Sequence, residues 1–386
     1  MSLLTAIEGA ATMGEITGFR APLSFSSLEA EVGAIRRSVA VSALPHVTAL
    51  RVTGDAAYDA LDRICPADLS IRDGRMRPTL LLRPDGSILA DLYLCRDDED
   101  FLLLAEGTAP GELLDSIRSH LLPGEAVALE DLSETHDLIA LNGPFAPELL
   151  ASLEGPEIIG FPYLTLARFS GDRSLVFRAG KTGEFGYDML VPKASAEALW
   201  GRVIDAGAAL DIRPAGALAL WHAALENWFF TIHREGRAAP ITSAASGLSP
   251  IELGLQWRVS HRKEFVGSEG LAARKPASRS HSYRATAIES DLPLAEGDAV
   301  FFEDRPIGAV LRAERSVTLE HFIGIGLIEA AYAHSGVDRY RAGAAAHPLR
   351  TVSAPFINNL SLYVNPAKHT FARRAEIPFP GPSRRI

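Results

Sequence analysis

One short run of the chain concentrates side chains suited to chemistry on a flat substrate. GALALWHAALENWFF holds Trp221, His222, Trp228, Phe229 and Phe230, and His233 follows three residues later. Trp and Phe bury large area and stack on planar rings, so they suit the walls of a pocket for an aromatic compound; at helical spacing they equally suit a core. His222 titrates near neutrality and is a candidate acid or base. A satisfied histidine at a domain interface is the plain alternative. Asp91, in TLLLRPDGSILADLYLC, alternates with Ile88, Leu92 and Leu94 and so faces a pocket or water. Tyr93, Tyr163 and Tyr187 could each donate a proton to an ether oxygen.

Other chemistries lack their patterns. There is no Gly-x-Gly-x-x-Gly after a strand, no Walker loop, no His-x-x-x-His or Cys-x-x-Cys and no Gly-x-Ser-x-Gly elbow, so nucleotide, metal and serine-hydrolase readings drop out. The two cysteines, Cys65 and Cys95, suggest neither a metal site nor an oxidised scaffold. The formal charge of -10 comes from 48 acidic and 38 basic residues with no basic block, which disfavours nucleic acid and favours a small-molecule substrate. No apolar stretch approaches the roughly 20 residues that span a bilayer. MSLLTAIEGAATMGE lacks a basic segment followed by an apolar run, so the expected compartment is the cytoplasm, without membrane association. Oligomeric state is not legible.

The elements that must position these residues follow from periodicity. With 386 residues, two or three domains are expected. SSLEAEVGAIRRSVAV reads as a helix capped by Ser26 or Ser27, HVTALRV as a strand, and GDAAYDALDRI as a helix with Asp55 as cap candidate. Pro84–Gly86 marks a hairpin turn. Further strands are expected at FLLLA, DLIAL, YLTLARF, SLVFR and YDMLV, with helices at PGELLDSIRSHL, APELLASL, ASAEALWGRVIDAG and GALALWHAALENW. Residues 234–280 read as a connecting region. From Tyr283 onward short strands alternate with turns, as in a small β-barrel or sandwich, and the tail PFPGPSRRI is expected to fray.

Several segments, in order, resemble the aminomethyltransferase (glycine-cleavage T-protein) superfamily. ITGFRAPLSF with EVGAIRRSVAV, ALPHVTALRVTGDAAYDAL, LLRPDGSILADLYL, LNGPFAPELL and GKTGEFGYDMLVP are each similar to a family motif. So are SPIELGLQWRV with EFVGSEGL, and IGAVLRAERSVTLEHFIGIGLI. The resemblance runs from about residue 17 to about residue 357. It implies an α+β fold, a three-domain cloverleaf around a central channel with a C-terminal β-barrel. Its parts would be residues 1–48 with 134–240, residues 49–133, and residues 241–386 as linker and barrel.

The resemblance also implies roles. Asp188 stands where the family has a pterin-gripping glutamate, one methylene shorter, and Glu184 and Glu226 match two further family glutamates, so these three are the expected cofactor contacts. His46 matches the histidine of a Ser-His-Met segment, with Pro45 in place of the serine. Trp257 is brought near the channel. His46, Tyr93, Trp221, Trp228 and Trp257 are the expected substrate contacts, and Asp91, His222 and Tyr187 the expected catalytic groups. Of two adjacent family aspartates only Asp91 remains, after Ala90. Both family arginines are exchanged, for Leu220 and Ala224, and Lys181 replaces a tyrosine. Losing two cationic anchors argues against aminomethyl transfer and aligns the chain with folate-dependent demethylase-like members. The expected activity is therefore tetrahydrofolate-dependent O-demethylation of a small aromatic methoxy compound, with N5 attacking the methyl carbon in line. Alternatives are a folate-free lyase releasing formaldehyde from a hydroxymethyl aromatic, in which case no cofactor is needed, ordinary aminomethyl transfer, and a non-catalytic folate-binding protein.

Overall fold

The computed structural model describes residues 3–169, 174–235, 247–275 and 282–382. The expected hairpin forms: Met76–Leu82 pairs antiparallel with Ile88–Asp97. Its turn is closed by the Gly86 N–H donating to the Arg83 carbonyl at 2.8 Å. Gly86 has φ +80°, and a Cβ there would lie 2.5 Å from the Leu271 nitrogen, so both conformation and space require glycine. A register shift between Leu81 and Leu82 sends Ile88 into a different core from Ala90, Leu92 and Leu94. This hairpin is the edge of a five-stranded sheet that continues through Asp100–Glu106, Val47–Thr53 and Ala128–Asp131.

A six-stranded sheet runs Leu166–Arg168, Leu175–Phe177, Gly186–Pro192, His136–Asn142, Ala40–Ala43 and Arg213–Pro214. Only its last pair is parallel. One face packs on helices Ala146–Glu154 and Lys193–Gly207 through Val41, Leu141, Leu149, Val191 and Leu199. The two sheets share a core that includes Leu44, Leu102, Leu104, Leu138, Ala140, Phe177 and Leu190. This shared layer brings strands distant in sequence to one place.

The third layer is a closed barrel of Tyr283–Ser290, Phe322–Glu329, Arg305–Arg315, Ala299–Phe302, Tyr340–Ala342 and His347–Val352, so the alternating C-terminal pattern resolves to a barrel rather than a sandwich. The α+β architecture with a C-terminal barrel is as expected. Helix Leu28–Arg37 is capped by Ser27, whose hydroxyl accepts from the Ala30 N–H at 3.2 Å. Asp55 does not cap the next helix: Ala57–Ile64 begins after Ala56 with no side-chain cap. Cys65 and Cys95 are buried free thiols. The connecting region lies partly outside the described residues, as does the end of the tail; within it Gln256–Arg258 and Ser268–Ala273 are helical. Among the described residues, no helix is long and apolar enough to cross a membrane.

Candidate active site

Between the two sheets and the helix Ala217–Glu226 lies a cleft with about 730 Å³ of empty space, counted out to its open mouth. Leu44, Val47, Leu92, Leu104 and Ala140 supply apolar walls from the sheets; Leu220, Trp221 and Ala224 supply one from the helix. Its mixed apolar and polar lining suits a small organic ligand.

The polar floor is an ion network. Lys181 Nζ donates to Asp91 Oδ2 at 2.9 Å, to Glu106 Oε2 at 2.5 Å and to the Phe230 carbonyl at 3.5 Å. Arg258 Nη1 donates to the other Asp91 oxygen, and Trp221 Nε1 donates to Glu106 Oε1 at 3.2 Å. Burial pushes the Asp91 carboxyl up, but Arg258 and Lys181 outweigh it and hold the group below its usual range. Glu106 is likewise held down, by Lys181 against its burial. Burial pushes Lys181 down, but Asp91 and Glu106 outweigh it and raise the amine, which stays a cation. Two carboxylates thus balance Lys181 and Arg258, and Asp91 is ionised at neutral pH.

Asp188 differs. It sits opposite Ala140 in the six-stranded sheet and lines the cleft, yet no described residue donates a hydrogen bond to its carboxylate. Burial, reinforced by Glu106 and opposed by Lys181, raises its carboxyl to about 7. It is the cleft group that can exchange a proton near neutral pH. Tyr93 shares a strand face with Asp91 and lines the cleft; burial raises its hydroxyl, so it keeps its proton. His46 lines the cleft 6.2 Å from Trp221, and burial lowers it, so the ring is neutral.

Of the eleven residues expected as catalytic, cofactor or substrate contacts, Asp91, Asp188, His46, Tyr93 and Trp221 are therefore brought together, and six are not. Tyr187 is 1% exposed in the core behind the sheet. Adjacent strand residues point to opposite faces, so Tyr187 and Asp188 cannot both serve one cleft. His222 and Glu226 lie four residues apart on the side of their helix that faces the barrel, away from Leu220 and Trp221. His222 Nδ1 bonds Glu314 at 2.9 Å, and Glu226 and Glu314 outweigh burial to raise the ring to about 9. Glu226 accepts from Arg36 Nη2 at 2.7 Å, Ser316 Oγ at 2.6 Å and Thr318 Oγ1 at 3.0 Å. Both residues are spent on joining helix to barrel.

Glu184 accepts from the Ser361 N–H at 2.8 Å and lies 3.8 Å from Arg36, so it holds the C-terminal segment. Trp228 packs with its ring centroid 5.3 Å from Phe230 and 6.2 Å from Phe356, in the core beneath the barrel. Trp257 is 68% exposed, on a separate surface groove with Arg258 stacked on it. Trp221 is the one tryptophan that lines the cleft. Sequence reasoning missed Glu106 and Thr231 and gave Arg258 no role. Glu106 carried a faint signal as a carboxylate ending the strand FLLLAE; Arg258 and Thr231 carried none.

Known proteins resemble the chain along most of its length. Residues 5–263 match the family described as the GCVT N-terminal domain. The chain is 31% identical over 354 residues to an aminomethyltransferase of Prosthecochloris aestuarii, covering 88% of this chain and 94% of that protein. It is 28% identical to one from Saccharopolyspora erythraea, covering 90% and 94% respectively. The crystal structure of glycine cleavage system aminomethyltransferase T from Bartonella henselae shares the fold, with a TM-score of 0.80 at 22% identity over 93% of this chain and 98% of that one.

Proposed function

The chain belongs to the GCVT family of aminomethyltransferases, and on that premise we propose that it is a tetrahydrofolate-dependent one-carbon transferase that demethylates a small, neutral methoxy compound. The observation that carries this reading is Asp188, a carboxylate among apolar walls to which no described residue donates a hydrogen bond. A reduced pterin offers adjacent N–H donors, best met by a carboxylate, and a flat body that needs apolar cover. The residues present fit it: Asp188 would hold the donors, with Leu104, Ala140 and Leu220 covering the ring. When bound, tetrahydrofolate supplies the nitrogen nucleophile that accepts the carbon.

The chain's own residues do the rest. Asp91, fixed at both oxygens by Lys181 and Arg258, is an oriented negative charge and not a proton donor. Tyr93 holds its proton at Oη and would hydrogen-bond the departing oxygen.

The donor's neutrality follows from charge balance. Among the described residues, Lys181 is the one Lys or Arg lining the cleft, and it is already paired twice. Leu220 and Ala224 add apolar surface where the family resemblance leads one to expect arginine. An anionic or carrier-linked donor would find no free cation among the described residues there. Trp221 is a stacking face for an aromatic donor, which makes methoxybenzenes the first class to assay. The folate-free lyase reading retains one supporting observation, the neutral His46 ring as a base.

Calorimetry with tetrahydrofolate tests the proposal. Binding is expected in the wild type, weakened in Asp188→Ala by ~1–3 kcal/mol, the scale of a lost charged hydrogen bond. Asp188 must ionise to accept the donors, so binding at pH 7 should release a proton, seen as a dependence of the heat on the buffer. Absence of binding to the wild type would sink the proposal, and binding without turnover would leave a folate-binding protein.

A further inference from the structure

Asn142 closes the strand His136–Asn142 and lines the cleft, but takes no part in the ion network of its floor. Its side-chain oxygen accepts from the Thr182 hydroxyl at 3.0 Å. Thr182 is itself held in place, since its carbonyl accepts from Arg36 Nη1 at 2.6 Å and from Asn227 Nδ2 at 2.7 Å. The Asn142 amide is thereby oriented, with its nitrogen turned away from Thr182. No described residue accepts from that nitrogen, yet it is not among the sealed, partnerless atoms of the interior. The residue is only 4% exposed, so the open space its nitrogen keeps is that of the cleft it lines. Buried polar groups nearly always find partners. A donor left open on a cleft points to an acceptor on the ligand.

The sheet places this donor beside Asp188. Ala140, two residues earlier on the same strand, also lines the cleft, so the pleat turns both side chains to it. In the ladder Ala140 stands opposite Asp188 and Asn142 opposite Gly186. Asn142 and Asp188 are therefore diagonal neighbours on one sheet face. Cβ atoms so placed lie roughly 7–8 Å apart, a gap that one ligand edge between two short polar side chains can bridge. The pair offers an acceptor and, next to it, a donor. Its complement is an edge on which N–H donors adjoin a carbonyl. The amino-lactam edge of a reduced pterin has that order: the 2-amino and N3 hydrogens, then the 4-oxo oxygen.

We propose that Asn142 is a specificity-determining residue that recognises the 4-oxo group. Asp188 would take the pterin's N–H donors and the Asn142 amide would donate to the carbonyl beside them, selecting 4-oxo over 4-amino pterins. This deepens the reading of the cleft as a folate site and rests on it. A 4-amino group would set donor against donor and leave both unpaired.

The test is calorimetry on the full chain with tetrahydrofolate and its 4-amino-4-deoxy analogue as separate probes. The analogue also alters N3, which Asp188 would meet, so the decisive quantity is how the affinity ratio responds to substitution at Asn142. Asn142→Ala should weaken tetrahydrofolate about tenfold and change the analogue by less than about twofold. Asn142→Asp has the same shape, can still accept from Thr182 and presents an acceptor to the ring. It should shift the ratio towards the analogue by at least about tenfold relative to the wild type. A purely structural role would weaken both ligands alike. Equal loss of both in a folded Asn142→Ala, or an unshifted ratio in Asn142→Asp, overturns the proposal and leaves the folate reading standing. Failure of the wild type to bind either probe overturns both.

Discussion

Replacing Asp188 by asparagine should make the ligand-free protein more stable, and only at higher pH. Burial and Glu106 raise this carboxyl from 3.8 to about 7. A carboxyl whose folded pKa exceeds its unfolded value binds more protons in the native state across that window. Native stability therefore falls as pH rises through it. The gap of about three pH units, at about 1.4 kcal/mol each, sets a ceiling of about 4 kcal/mol. The side chain is only half-buried, and solvent screening reduces the realised cost to about 1–2 kcal/mol. Asparagine has nearly the same shape and no charge to desolvate. Urea unfolding at pH 5 and pH 8 should show Asp188→Asn gaining about 1–2 kcal/mol on the wild type between the two, with unchanged slope. A variant less stable than the wild type at pH 8, or a difference independent of pH, would refute the claim that Asp188 is an unpaired carboxylate kept for a ligand.

Lys181→Met should cost about 3–5 kcal/mol at pH 8, because it strands Glu106 and leaves Asp91 with Arg258 alone. Without its cation Glu106 should carry a raised pKa, so the deficit should shrink as pH falls towards 5, read by urea midpoints at both pH values. Glu226→Gln should cost a similar ~3–5 kcal/mol by leaving buried Arg36 with only the more distant Glu184 carboxylate. It should leave tetrahydrofolate affinity within about twofold, since Glu226 faces the barrel and not the cleft; a large loss of affinity by calorimetry would return Glu226 to the ligand site.

What the sequence disclosed and what it hid divide by sequence distance. The Ser27 cap, the Pro84–Gly86 hairpin and the barrel strands from Tyr283 are local patterns, and they form as the periodicity requires. The pleat was also sufficient to separate Tyr187 from Asp188, because neighbours on a strand face opposite ways. Helical spacing set His222 and Glu226 on one face and Leu220, Trp221 and Ala224 on another. Aromatic clustering misled: Trp228 lies in a run of aromatics, but its backbone turns through φ +63° and sends the ring to the core beneath the barrel. The ion network that fixes Asp91 was hidden, since Lys181 meets Glu106 across 75 residues and Arg258 meets Asp91 across 167. Such pairings arise only when the sheets and the segment before the barrel come together.

The central claim, that Asp188 holds a reduced folate to which this cleft passes a one-carbon group, is tested most directly by following labelled carbon. Methoxy-¹³C 2-methoxyphenol would be incubated with the wild type and Asp188→Ala, with and without tetrahydrofolate, while methylated folate and free formaldehyde are measured separately. The account predicts labelled methyl on folate with the wild type, none without folate, and a rate in Asp188→Ala reduced by about tenfold or more at sub-saturating folate. Labelled formaldehyde released without folate, or transfer indifferent to Asp188, would contradict it.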